Sequence, residues 1–175
     1  MKNATWADCA AFHGHECGGL TIGYKAALYA IELLGLEFSP DEELCCISEN
    51  DACGVDAIQV MLGCSAGKGN LMFHLTGKQA FSFYERRSGR SVRLVLRDRP
   101  EGMSREESFQ YLQSRAPAEL FDVKPAQIPL PEGARIFKSV KCASCGETLA
   151  ENFARSSNGQ LYCPDCLPPY SRFSI

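Results

Sequence analysis

The sequence predicts an α+β fold, a helix plus an antiparallel meander core with a small C-terminal four-cysteine zinc module. Three observations predict it. Apolar residues recur at helical spacing from Leu20, and the apolar period shifts to two after residue 70. Near the end, Cys142, Cys145, Cys163 and Cys166 form two Cys-x-x-Cys hooks.

The helix comes first. Leu20, Tyr24, Ala27, Ile31 and Leu34 follow one another in steps of four and three, with Lys25 and Glu32 turned elsewhere and Gly35 as the stop. Ile22, Ala26 and Tyr29 widen the apolar face, as expected of a helix packed between two surfaces. Leu44–Ile47 reads as a short buried strand and Val55–Leu62 as a second helix, followed by a glycine-bearing loop over 63–70. Strands are expected over 71–75, 79–86 and 91–97, with turns at Gly77-Lys78 and Ser88-Gly89-Arg90. Ser104 caps a third helix running to Ala116, with Glu107 completing a capping box. Pro125, Pro129 and Pro131 then interrupt a stretch with little periodicity. The expected organisation is a core domain over 1–123, a proline-rich linker over 124–137 and a zinc-binding module over 138–175.

Composition excludes several classes. Hydrophobic content is 45%, charged content 22% and net charge −3 over 175 residues, as in ordinary globular chains. No apolar run reaches the roughly 20 residues that span a membrane; Leu20–Phe38 is broken by Lys25, Glu32 and Glu37. The N-terminus MKNATWADCAAFHGH lacks the apolar stretch of a signal peptide, so a cytoplasmic location is expected. In a reducing compartment, ten cysteines point to metal binding or catalysis rather than to a disulfide framework.

The terminal cysteines carry the clearest chemistry. Seventeen residues separate CASC (142–145) from CPDC (163–166). A two-residue gap lets both thiolates of a hook reach one ion, and two hooks complete the tetrahedron that zinc prefers. Iron also suits four thiolates, and a thioredoxin-like redox pair would need a βαβ context that is missing here. From Lys138 onward four Lys/Arg face three Asp/Glu; zinc with four thiolates brings the formal total to about −1. A nucleic-acid finger presents a basic face, so no nucleic-acid partner is expected.

His13-Gly14-His15-Glu16-Cys17 is the second concentration of chemistry. In an extended segment positions 13, 15 and 17 share a side. Cys17 and Cys53 each directly precede a helix, whose positive end favours a thiolate. Asp56 lies three residues after Cys53, and Cys64 follows the second helix. These residues predict one pocket around His15, Cys17 and Cys53, a candidate second metal site, with Asp56 in the pocket and His13 and Cys64 as neighbours. The rival expectation scatters them through the core as small hydrophobes. Cys9, Cys45 and Cys46 read as core, and His74 as a structural histidine in a strand. The loop after Gly63 is no P-loop, since Gly69 stands where Ser or Thr would hold Mg²⁺.

The segments FHGHECGG (12–19), CGVDAIQ (53–59), GCSAGKGNL (63–71) and CASCGE…CPDC, in this order, resemble the FmdE family of formylmethanofuran dehydrogenase components over most of the chain. In that family a proline commonly follows the motif cysteine and a threonine follows the cysteine matching Cys64; here these positions are Gly18 and Ser65. The resemblance implies an α+β core, a site around His15, Cys17 and Cys53, and a homodimer. It also implies a chain accessory to molybdenum- or tungsten-dependent oxidoreductase subunits in anaerobic one-carbon metabolism. A pterin redox centre would then belong to a partner. The alternative is a small stand-alone metal- or thiol-dependent enzyme using the same site.

Overall fold

The computed structural model describes residues 4–172, and the chain divides into two compact units between Ala134 and Arg135. The first three residues of the N-terminal segment, and the last three of the expected C-terminal module, lie outside the described residues.

The first unit contains helices α1 (Trp6–His13), α2 (Gly18–Leu34), α3 (Gly54–Leu62), α4 (Arg105–Ser114) and α5 (Pro117–Leu120). Its strands are β1 (Leu44–Ser48), β2 (Leu71–Phe73), β3 (Ala80–Glu85), β4 (Ser91–Leu96) and β5 (Phe121–Lys124). The α+β class is as the sequence predicts, with one sheet in the order β2-β1-β3-β4-β5. Its pairs are antiparallel except β1 with β2, so the meander runs through β3, β4 and β5 and β1 separates β2 from β3.

Helix α2 is the axis of this unit. Leu20, Ile22, Ala26, Ala27 and Ala30 are all buried, and the helix packs against α3, α4 and the sheet. Ile22 and Ala26 of its wide apolar face are thus buried inside the chain, while Tyr24, Leu28, Tyr29, Ile31 and Leu33 are half-buried. Gly35 ends the helix in the left-handed region at φ 64°. Ser104 and Glu107 form the expected capping box on α4.

Three elements of the first unit lie outside the sequence expectations, one of them the single turn α5, which opens on Pro117 just after α4. Helix α1 is short and weakly patterned, and is set by a Thr5/Asp8 capping box and a left-handed Gly14 at φ 92°. Strand β5 begins within the segment read as core and ends at Lys124, where the linker was expected to start.

The sheet is covered on both faces. Cys46, Phe81, Phe83, Val92 and Leu94 meet the helices. On the other face Cys45, Ile47 and Tyr84 pack with Ala126 and Ile128. Tyr84 Oη donates to the Ile128 carbonyl at 2.7 Å and Arg86 Nη1 to that of Pro131 at 2.6 Å. The proline-bearing stretch up to Ala134 is thus a covering strap of the first unit. It lacks a period because it follows the sheet surface rather than forming an element. His74 stands just past β2 and is exposed. Arg93, opposite in direction to Val92 and Leu94, is buried and forks onto Glu49 at 2.5 and 3.0 Å.

The second unit consists of two hairpins, β6 (Ser139–Lys141) with β7 (Thr148–Ala150) and β8 (Arg155–Ser157) with β9 (Gln160–Tyr162). Asn158 and Gly159, at φ 50° and 75°, make the tight turn of the second hairpin. Among the described residues no helix is long and apolar enough to cross a membrane.

Candidate metal centres

Each hook of the second unit follows a hairpin strand. Gly146 N–H closes the first on the Cys142 carbonyl and Leu167 N–H closes the second on that of Cys163, both at 3.0 Å. Ala143 N–H to the Leu161 carbonyl ties the hairpins together. The four sulfurs lie within 4.8 Å of one another, with Cys145 and Cys163 at 4.0 Å. Tetrahedral thiolates about 2.3 Å from a metal lie roughly 3.8 Å apart, so the set can hold one ion. Backbone hydrogen bonds from Cys163 and Cys145 pull the Cys142 thiol down to about 6, which readies it as a thiolate ligand.

In the first unit, His13, Cys17 and Cys53 each offer a ligand atom within 4.8 Å of the others. They come from three elements: the last turn of α1, the N-cap of α2 and the N-cap of α3. The crossing of α2 and α3 is what joins them. A Cβ on Gly23 would fall 1.9 Å from the Gly54 carbonyl oxygen, and one on Gly19 would fall 3.2 Å from Cys53 Cβ. The two helices therefore touch backbone to backbone, and only glycine permits it.

His13 is aimed by a second residue. Its Nδ1–H donates to Asp56 Oδ2 at 2.7 Å, while Nε2 faces Cys17 Sγ at 3.8 Å. The other Asp56 oxygen accepts from Gln59 Nε2 at 3.3 Å. A carboxylate behind an imidazole fixes its tautomer and raises its ligand strength, as behind metal-bound histidines. Cys17 Sγ accepts the Leu20 N–H at 3.3 Å. The Cys53 thiol is raised, first by burial and then by the neighbouring Cys17, so the helix end does not by itself leave it a thiolate. A cation shared with Cys17 would reverse that balance.

The sequence-predicted set is thus brought together with one exchange. Cys17 and Cys53 lie together with Asp56 beside them on His13, and His13 rather than His15 completes the group. The extended segment assumed for 13–17 does not form, because α1 runs to His13 and Gly14 turns the chain. His15 is exposed; its ring lies 4.5 Å from that of His13 and lines a cleft of about 730 Å³ that also meets Cys17 and Cys53. The Thr5-x-x-Asp8 box before Gly14 was the signal for this arrangement.

Cys64 lies elsewhere, fully buried in the core with Cys9 and Cys46. Burial pushes the Cys9 and Cys45 thiols up to about 11, Cys64 to about 12 and Cys46 well above its ordinary value. These thiols stay protonated at neutral pH and are inert. The loop after Gly63 is structural: Asn70 donates to the Asp41 and Leu44 carbonyls, and Lys68 to that of Ser39.

Residues 12–128 match the family described as FmdE, Molybdenum formylmethanofuran dehydrogenase operon, and the chain belongs to that family. It is 27% identical over 168 residues to a probable S-adenosyl-L-methionine-binding protein of Archaeoglobus fulgidus, covering 78% of this chain and 46% of that protein. The chain thus spans about half the length of this curated relative. In fold it is similar to a tungsten formylmethanofuran dehydrogenase FmdE-like protein from Syntrophus aciditrophicus, with a TM-score of 0.70 at 23% identity. The likeness covers 93% of this chain and 90% of that one.

Proposed function

With membership of the FmdE family as the premise, we propose that this chain is a cytoplasmic metal-binding accessory subunit of a molybdenum- or tungsten-dependent formylmethanofuran dehydrogenase-type oxidoreductase. It serves anaerobic one-carbon metabolism and carries two metal sites. Cys142, Cys145, Cys163 and Cys166 hold a structural zinc. His13, Cys17 and Cys53 hold a second ion in the core, with Asp56 positioning His13. The observation that carries the reading is the convergence of three ligand atoms from three separate elements within 4.8 Å. Three protein ligands leave one tetrahedral position open, and an ion there supplies Lewis acidity to a bound water or ligand. His15, exposed on the cleft wall, is within the site's reach as a proton carrier.

A second reading is favoured by the cleft itself. A cavity of about 730 Å³ reaching both thiols suits a stand-alone metal-dependent enzyme. Turnover by the purified chain without partner subunits supports that reading, whereas activity only in a reconstituted complex supports the accessory role. Elemental analysis tests both: two ions per chain are expected, and Cys53→Ser should lose one. A single ion in the wild type, lost by Cys142→Ser, removes the core centre.

The homodimer belongs to the same proposal. Its support is the family resemblance, the half-buried Tyr29 and Leu33 of α2, and the exposed Phe73, which lines a recess beside His13. Light scattering at micromolar concentration should give twice the 19.2 kDa chain mass.

A further inference from the structure

Six of the arginines in the first unit divide into two groups. Arg86, Arg93, Arg97 and Arg115 each face a carboxylate within 4.0 Å: Glu42, Glu49, Asp122 and Glu119 respectively. Arg99 and Arg105 do not. The Arg99 side chain donates only to the neutral Ser108 hydroxyl, and the Arg105 side chain makes no hydrogen bond or ion pair with any described residue. Both of these line the cleft that reaches Cys17 and Cys53.

The charge of the site gives this placement a meaning. A divalent ion with two thiolates and a neutral imidazole is formally neutral, so the open position does not repel an anion. Two guanidiniums without carboxylate partners stand on the walls of the same cavity, and guanidinium is the group that reads carboxylates by paired hydrogen bonds. Glu16 and Glu106 also line the cleft. Each accepts from a neutral donor, the Trp6 indole at 3.2 Å and the Gln110 amide at 2.9 Å. Two fixed carboxylates weigh against a doubly charged phosphate more than against a singly charged carboxylate.

We propose that this cleft binds a small carboxylate, one oxygen of which reaches the ion held by His13, Cys17 and Cys53 while the other is recognised by Arg105 and Arg99. The inference rests on the core metal reading and names the ligand class of that site. It assigns Arg105 as a specificity residue, with Arg99 held in position by Ser108.

The test uses the full chain loaded with Co²⁺, whose visible spectrum reports its ligands. The difference spectrum between wild type and Cys53→Ser isolates the core ion from the four-cysteine ion. Acetate should perturb that difference spectrum and saturate. Arg105→Gln, which breaks no contact in the fold, should weaken acetate binding at least tenfold and leave the cobalt content at two per chain. Equal acetate affinity in wild type and Arg105→Gln overturns the inference. So does a core cobalt spectrum indifferent to acetate, or one that responds to inorganic phosphate and not to acetate. Absence of a core cobalt difference overturns the metal reading itself, and the inference with it, so the two failures are told apart.

Discussion

In the first unit, apolar side chains from Cys9 to Phe121 form one buried cluster around α2, and three cysteines sit inside it as protonated, inert thiols. In the second unit Cys142 is the one buried residue among those described, while Phe153 is 64% exposed. A unit of this size has too little interior to stabilise itself by packing. The same residue type therefore serves opposite ends: filler where a core exists, and the source of stability where none does. Between these extremes lies the His13, Cys17 and Cys53 group, half-buried at the edge of the first unit's core. There packing places the ligands and does not depend on them.

The largest expected effect breaks this contrast most directly. Structural zinc contributes about 10–16 kcal/mol of apparent folding free energy in small modules. Chelation, or the double substitution Cys142→Ser with Cys163→Ser, should unfold the second unit and leave the first intact. Limited proteolysis with mass spectrometry reads the outcome, and a metal-free second unit that resists cleavage would contradict the comparison. Because the ligands bind as thiolates and the Cys145 and Cys166 thiols are raised, metal affinity should fall as pH drops through the neutral range, and more steeply below the Cys142 value of about 6.

The next effect belongs to the first unit alone. Arg93→Ala removes one partner of a buried, two-bonded ion pair, which costs about 3–5 kcal/mol. Hydrogen bonds from Arg93 hold the Glu49 carboxyl below its ordinary value. A depressed carboxyl contributes stability above the unfolded-state value of about 4.3, and that contribution is lost as pH falls through the folded one. Urea denaturation should show this acid sensitivity in the wild type and a flatter profile in Arg93→Ala. An unchanged profile would show that the pair does not report on the core.

Gly23→Ala should cost about 3 kcal/mol, the upper end for overpacking, because the methyl would meet the Gly54 backbone and α2 and α3 must separate to admit it. It should also lower metal content at the core centre without touching the other. Full retention of both ions would mean that the helix crossing does not set the site.

How much of this was legible in the sequence follows from which forces leave a local trace. The cysteine hooks are local in spacing, and so were read residue by residue. Helix α2, with five apolar positions at helical steps and a glycine stop, left an equally plain record. The Gly19-x-x-x-Gly23 spacing carried the crossing but does not name its partner, Gly54, thirty-one residues on. Strand β5 and the covering strap are tertiary: nothing in Ala126 or Ile128 marks them for the face of Cys45 and Tyr84. The exchange of His15 for His13 turned on α1, whose eight residues make too few turns to give a usable period.

The smallest expected effect is the sharpest on that exchange. His13 has Asp56 behind its Nδ1 and its Nε2 toward Cys17, whereas His15 is exposed and touches the group only through the face of the His13 ring. Asp56→Asn leaves the ligands in place but weakens their orientation, which lowers affinity by roughly 10–100-fold at metal centres. His13→Ala should release the core ion altogether. His15→Ala should release nothing, since its ring nitrogens lie outside the group that meets within 4.8 Å. Competition with a chromophoric chelator ranks the three. If His15→Ala loses the ion while His13→Ala keeps it, the ligand is His15 as the spacing first suggested, and the turn at Gly14 must open when metal binds.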